Sequence, residues 1–403
     1  VFVEKFTDVG APLGTISLPT TASESQRALV LGGTATSVGF INASGDGNYL
    51  FLAGFDAAVG TASVNSTTSA VANRVVGRIS VSDDSIDTST AFTDTSYSGD
   101  NIRSVVSTNG TDIWTAGTAS SGANGGVRYT TFGSNSSTRV SSTPTNTRVV
   151  NIYNGQLYVS SGTAAFLGVS TVGTGLPTMS DEATSTLAVN VTGTGTGTAS
   201  SYDFWFKDDN TVYIADDRTL ANGGGIQKWS FDSGSSVWGL DYTLNVGAGA
   251  RGLAGTMSGG NAVLNMIAAD NPSRLVSITD DNGVDSVFST LASAATNTQF
   301  RGVAFIPSGG GGEFAAADFN ENGAVDGTDL GIWSNGYGLT GAPKSSGDAT
   351  GEGDVDGRDF LVWQRQYTGT PVAVAAVPEP ASVGLTLVVL GGLALAARRG
   401  RHS

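Results

Sequence analysis

The first 307 residues predict an all-β fold, a six-bladed β-propeller, on three observations. Short apolar runs rich in β-branched and aromatic residues recur every 45 to 67 residues, a repeat long enough for four antiparallel strands. Tight-turn sequences separate the first two runs of each repeat. Composition agrees: 57 glycines and only 14% charged residues in 403 suit many strands with small-residue turns rather than helical bundles.

Taken in order, six runs open the repeats as inner strands. They are Thr36–Phe40, Arg103–Val106, Arg148–Asn151, Tyr202–Phe206, Arg251–Ala254 and Arg301–Phe305. Second strands are expected at Tyr49–Leu52, Asp112–Trp114, Gln156–Val159, Thr211–Ile214 and Ala262–Leu264, after turns such as Asn154-Gly155. Third strands follow at Val75–Val81, Val127–Phe132, Ala165–Val169, Ile226–Phe231 and Leu275–Ile278. Fourth strands are fainter, with Trp238–Leu244 and Val287–Leu291 the clearest. The sixth repeat runs into Gly309–Gly312, so Val1–Phe6 and Gly14–Pro19 are expected to pair beside Arg301–Phe305 and close the ring. The strand completing that blade would precede Val1, and the chain is expected to have begun further upstream. Seven blades is the alternative, because the first repeat is long and Ala28–Leu31 is unassigned.

Composition also excludes chemistry. There is no cysteine, and the single histidine is His402, so thiol catalysis, His-based acid–base catalysis and ordinary zinc sites are absent from the body. A net charge of −15 argues against nucleic acid as a partner and suits a secreted protein.

Beyond the glycine-rich linker 308–315, Asp318-Phe-Asn-Glu-Asn-Gly-Ala-Val-Asp-Gly-Thr-Asp329 places oxygen side chains at loop positions 1, 3, 5, 9 and 12, with Gly323 at position 6. Thirty residues on, Asp348-Ala-Thr-Gly-Glu-Gly-Asp-Val-Asp-Gly-Arg-Asp359 repeats the register with Gly353 at position 6. Each loop enters a short helix with one apolar face: Leu330, Trp333 and Tyr337 match Phe360, Trp363 and Tyr367. This spacing suits two Ca²⁺ ions, a hard cation that takes six to eight oxygens. The pair, spanning 316–370, resembles a type I dockerin. Carried over by position, the resemblance implies Asp318, Asn320, Asn322, Asp326 and Asp329 with the Ala324 carbonyl, then Asp348, Thr350, Glu352, Asp356 and Asp359 with the Asp354 carbonyl. Dockerins that bind cohesin usually carry Ser/Thr pairs at positions 10 and 11. Here Gly327-Thr328 and Gly357-Arg358 stand there, which favours a calcium-folded spacer over a cohesin adaptor.

After linker 371–376, the tail 377–403 has three parts. Val377-Pro378-Glu379-Pro380 precedes the uncharged stretch Ala381–Ala397, and Arg398, Arg399 and Arg401 follow. Seventeen helical residues span roughly 26 Å, the short end of a bilayer core, and the arginines act as a positive-inside stop. The arrangement resembles the PEP-CTERM sorting signal. The resemblance implies a transmembrane helix 381–397 held transiently in the inner membrane, processing by an exosortase-type enzyme, and a bacterial protein at the cell surface or outside it. The body, through phrases such as Asn146–Val159 and Gly223–Ser230, also resembles bacterial secreted proteins with a propeller-like domain ahead of such a tail.

Within the propeller, Arg103, Arg148, Arg251 and Arg301 open four inner strands, with Thr36 and Tyr202 at the remaining equivalents. These arginines either bind an anion such as a uronate or phosphate at the channel mouth, or tie their blades to neighbouring loops. Asp208-Asp209 and Asp216-Asp217 read more economically as turn residues than as a glycosidase acid pair. Trp205, Trp229 and Trp238 read as inter-blade packing before sugar stacking. The expected function is therefore an exported binding or matrix scaffold, with extracellular polysaccharide as a candidate partner. The alternative is a His-free polysaccharide lyase or glycoside hydrolase acting in the channel through Tyr202, Arg or Asp.

Overall fold

The computed structural model describes residues 1–306, 316–320 and 325–367, apart from 181–184, 259, 282, 284 and 285. The chain divides into two compact units, Val1–Glu313 and Phe314–Ser403.

The first unit opens with a hairpin, β1 (Phe2–Phe6) and β2 (Pro12–Ser17), and continues as five four-stranded antiparallel sheets. Blade one is β3 (Ile41–Ala43), β4 (Tyr49–Phe55), β5 (Arg74–Ser80) and β6 (Ile86–Phe92). Blade two is β7 (Ile102–Ser107), β8 (Asp112–Gly117), β9 (Gly126–Thr131) and β10 (Thr138–Ser141). Blade three is β11 (Val150–Tyr153), β12 (Gln156–Ser161), β13 (Gly168–Val172) and β14 (Ser185–Asn190). Blade four is β15 (Ser201–Asp208), β16 (Thr211–Asp216), β17 (Gly225–Asp232) and β18 (Val237–Leu244). Blade five is β19 (Ala250–Ser258), β20 (Asn261–Ala268), β21 (Arg274–Asp280) and β22 (Phe288–Ser293). Consecutive strands pair in each sheet without a crossover, as in a β-propeller.

Turn chemistry fixes the registers. Between β11 and β12, Asn154 (φ 50°) and Gly155 (φ 71°) both adopt the left-handed conformation, so Tyr153 pairs directly with Gln156. The core lies between blades. Val106, Trp114 and Val127 of blade two meet Val150, Leu157 and Val159 of blade three. Phe204, Tyr213 and Trp229 of blade four join Leu253, Leu264 and Met266 of blade five. A buried polar lock crosses that second interface: Tyr213 and Tyr242 donate to Asp280 at 2.5 and 2.8 Å, and Lys228 Nζ lies 3.1 Å from the same carboxylate.

The expectation of a sixth blade is corrected, and so is the alternative of a seventh. Arg301–Phe305 forms no strand, and among the described residues the sheet at that point is the two-stranded hairpin β1–β2 alone. The segment is held by packing instead. Ala304 packs against the cluster containing Ile16 and Leu18, and Phe300 meets Phe6 edge-on at 6.2 Å. Gly302 is wedged so tightly that a Cβ there would lie 2.6 Å from the Ile41 nitrogen and 2.7 Å from the Gly39 oxygen. Ala28–Leu31 opens no blade; Val30 makes a single bridge to Phe55, and Leu29 is buried over blade one. The first inner strand is displaced as well, beginning at Ile41 rather than Thr36.

In the second unit, α1 (Gly327–Gly336) and α2 (Gly357–Gln366) start at matched capping boxes, Asp326 with Asp329 and Asp356 with Asp359. Among the described residues no helix is long and apolar enough to cross a membrane. The linkers 308–315 and 371–376, the sorting signal Val377–Pro380 with Arg398, Arg399 and Arg401, and the helix 381–397 lie outside the described residues.

Candidate functional site

The inner strands β3, β7, β11, β15 and β19 all start at the same end of their blades, and residues 301–302 fill the gap between the last and the first. A Cβ on Gly252 would touch the Arg301 oxygen at 3.1 Å, while Gly39 faces the Arg301 side chain. Arg103, Arg148, Tyr202, Arg251 and Arg301 therefore share one end of the ring. Three strands break register at this level. The breaks fall between Ile102 and Ser104, between Ser201 and Phe204, and between Ala250 and Leu253, so Arg103, Tyr202 and Arg251 sit in bulges. Bulges re-aim side chains out of the regular alternation.

Each arginine holds the next sector. Arg103 donates to Asn146 Oδ1 at 2.6 Å and to the Thr147 carbonyl at 2.8 Å. Arg148 donates to Ser200 Oγ and the Ser201 carbonyl, and its guanidinium lies 4.1 Å from the centre of the Tyr202 ring. Tyr202 Oη reaches across to Thr36 Oγ1 at 3.1 Å, from blade four to the approach of blade one. Arg251 pairs with Asp217 at 3.4 Å, and Arg301 donates to the Gly33 carbonyl at 2.8 Å. The tethering role expected of these arginines is therefore present. Their charges also remain close together. Burial pulls the Arg103 guanidinium down to about 10, with repulsion from Arg148 adding to it. Burial likewise lowers Arg301, with Arg251 contributing.

The other sequence candidates are engaged elsewhere. Asp216 holds Arg218 through two oxygens at 2.9 Å, Asp217 holds Arg251, and Asp209 accepts from Asn154, so no acid pair forms. Trp229 is buried, Trp205 stacks on Tyr213, and Trp238 packs on Phe206 and Phe231. Sequence reasoning missed Asp203, a fully buried acid beside Tyr202 whose carboxyl burial pushes up to about 7. A lone aspartate in an apolar run was its only signal.

In the second unit the two acidic loops are near copies. Asp329 Oδ1 accepts from the Phe319 and Asn320 amides and Oδ2 from Asp326; Asp359 does the same with Ala349, Thr350 and Asp356. Trp333 Nε1 donates to the Asp356 carbonyl and Trp363 Nε1 to the Asp326 carbonyl, both at 2.9 Å, so each helix clasps the other loop. Asp348 accepts from the Gly351 and Gly353 amides, and Arg358 pairs with Glu352. Asp318, Asp329, Asp348 and Asp359 are all buried. Asn322 and Ala324 lie outside the described residues. Among the described residues, no three acidic side chains converge on one point as a metal cluster.

No protein-family model matches the chain, and no curated protein matches it. Among solved structures it is similar to a GH74 enzyme of Niastella koreensis, at 15% identity and a TM-score of 0.38, over 66% of this chain and 40% of that one. It is also similar to YCF48 bound to D1 peptide, at 12% identity and a TM-score of 0.35, over 68% of this chain and 75% of that one. A third is the hydrazine synthase of Kuenenia stuttgartiensis, at 11% identity and a TM-score of 0.35, covering 60% and 79% of the two chains. The chain thus spans well under two thirds of the Niastella enzyme, and its assignment as a propeller rests on its own strand order.

Proposed function

We propose that the protein is an exported, surface-associated scaffold: a binding propeller, a calcium-folded C-terminal module, and a tail addressed to an exosortase-type enzyme at the inner membrane. The observation that carries this reading is the set of buried acids in the second unit. Asp329, Asp348 and Asp359 are at most 4% exposed, and none lies within ion-pair distance of a lysine or arginine among the described residues. Amide hydrogen bonds alone do not offset a buried negative charge; buried charges are paired or coordinate metals.

All the donors in these loops are oxygens, which fits a hard divalent cation and excludes a thiolate or imidazole site. In the second loop Asp348, Thr350, Glu352, the Asp354 carbonyl, Asp356 and Asp359 would hold Ca²⁺. In the first loop Asp318, Asn320, Asn322, the Ala324 carbonyl, Asp326 and Asp329 would do so. The cation would supply the positive charge around which the loops close, and two ten-residue helices are too short to stand without it.

A scaffold is favoured over a lyase or hydrolase because the candidate acids Asp209, Asp216 and Asp217 are engaged by Asn154, Arg218 and Arg251. Cohesin binding is not supported by Gly327-Thr328 and Gly357-Arg358, where Arg358 is engaged by Glu352.

Calorimetry of the full exported chain should show two calcium sites, with one lost on Asp359→Ala. Chelation should melt the second unit and leave the propeller's β-sheet signal in place. Absence of calcium heat would overturn the module, and turnover of an acidic polysaccharide would overturn the scaffold. Intact-mass measurement should find the mature protein ending near Glu379-Pro380; retention of Ala381–Ser403 would refute processing.

A further inference from the structure

We infer that the end of the propeller ring built by Arg103, Arg148, Tyr202 and Arg301 is a binding site for a multiply charged oxyanion, a phosphate or sulfate group. This gives the binding propeller a ligand class. It rests on the first unit alone, so its failure and that of the calcium reading are distinguishable.

The argument begins with charge. Most ion pairs in this acidic chain are ordinary: Lys5 with Asp84, Arg218 with Asp216, Arg274 with Asp270. At the ring, only Arg251 has such a partner, Asp217. Arg103, Arg148 and Arg301 have no carboxylate within ion-pair distance among the described residues; their acceptors are carbonyls, Asn146 and Ser200. Asp100 offsets part of the Arg103 charge without pairing with it, its carboxylate accepting from the amide and side chain of Asn101. Arg103 and Arg148 thus repel each other, as do Arg301 and Arg251, and Arg103, Arg148 and Arg301 have no paired carboxylate among the described residues in a protein whose net charge is −15. Self-repulsion among them is a cost that a bound anion would remove.

Geometry points the same way. Each arginine is anchored through one terminal nitrogen, Nη1 in Arg103 and Arg148 and Nη2 in Arg301. Arg103 Nε and Ser201 Oγ are buried with no hydrogen-bond partner at all. Tethering fixes each guanidinium through one terminal nitrogen and leaves Arg103 Nε unpartnered, a preorganisation that suits oxyanion recognition. The register breaks at Arg103 and Tyr202 take both side chains out of the ladder's alternation, a device that blade stacking does not require. Tyr202 links the opposite sides: its ring covers Arg148, and its hydroxyl meets Thr36. Burial and like-charge repulsion on Arg103 place the pair Arg103–Arg148 within electrostatic reach, and Tyr202 influences both Arg103 and Arg301. A single carboxylate is satisfied by one arginine fork, whereas several guanidiniums without a paired carboxylate at one end of the ring suit a dianion with tetrahedral oxygens.

The test is calorimetry on the full chain in calcium-free buffer, with inorganic phosphate, sulfate and galacturonate as probes at matched ionic strength. Phosphate and sulfate should bind saturably, with dissociation constants below about 1 mM, and galacturonate about tenfold more weakly or not at all. Phosphate should also raise the melting temperature of the propeller. Arg301→Gln and Arg148→Gln should each weaken phosphate about tenfold or more; Arg301, only half-buried, is the variant that should keep the fold. No phosphate or sulfate binding by the native chain, or unchanged binding in a folded Arg301→Gln variant, overturns the site. Galacturonate binding as tightly as phosphate overturns the dianion class.

Discussion

Replacing Asp203 by asparagine should flatten the pH dependence of the propeller's stability. Asp203 is 1% exposed, and its two oxygens accept only its neighbour Phe204 and, across the interface between blades four and five, the Leu253 amide at 3.0 Å. No cation balances it, and burial pushes its carboxyl from 3.8 up to about 7. Because the folded value lies above the unfolded one, the folded state holds the proton through the window between them. The stabilisation is complete below about pH 4 and is lost as pH rises toward 7. The separation corresponds to about 4 kcal/mol as an upper bound, a large share of the 5–15 kcal/mol of a typical domain. Asparagine has one oxygen where two amides need acceptors, so the variant should be less stable at pH 4.5 by about 1–3 kcal/mol. By pH 7.5 the native acid is ionised and that difference should shrink to zero or reverse. Urea unfolding of both proteins at pH 4.5, 6 and 7.5 reads this directly. Parallel pH profiles would refute the reasoning.

Two further outcomes follow from contacts that cross between repeats. Asp280→Ala removes the common acceptor of Tyr213, Tyr242 and Lys228 and takes the carboxylate from beside a lysine only 9% exposed; unfolding should become easier by about 3–5 kcal/mol, and a loss below about 1 kcal/mol would show that the lock is ornamental. In the second unit, Trp333→Phe and Trp363→Phe each delete one reciprocal indole bond while keeping an aromatic ring. Both should lower the stability of that unit by about 1 kcal/mol, and unequal effects by thermal melting would refute the mirrored arrangement.

How far the sequence reached depended on what held each element. All five second strands were visible as apolar runs, because β4, β8, β12, β16 and β20 are buried between their neighbours. The outer strands β6 (IDTSTAF), β10 (TRVS) and β14 (STLAVN) escaped notice: they are rich in Ser and Thr and resemble turn sequence. Arg301–Phe305 read as a strand because its composition is that of one, but a strand exists only with a ladder partner, and composition does not supply a neighbour. The recurrence of arginine at inner-strand starts was plain. Its anchors were not, since Asn146, Ser200, Asp217 and Gly33 meet their arginines only through blade closure. The bulges at Arg103 and Tyr202 left no trace in the pattern, because a one-residue insertion in a short run does not disturb its composition.

A body with neither cysteine nor histidine must carry its fixed side-chain charge on carboxylates, guanidiniums and lysine ammoniums. Some of those charges cancel in buried pairs, as in Lys228–Asp280 and Arg218–Asp216, and others do not. In the propeller, Arg103, Arg148 and Arg301 are held by carbonyls and hydroxyls at one end of the ring; in the second unit, Asp329, Asp348 and Asp359 are held by amides within two loops. Neutral dipoles can orient a charge but do not neutralise it, so each cluster keeps a residual field of one sign. On the readings proposed above, each unit would gain from a small ion of the opposite sign taken from solution, a cation for one and an oxyanion for the other. Because the two ions act on separate units, chelating the cation should leave anion binding intact, and displacing the anion should leave the calcium sites unchanged.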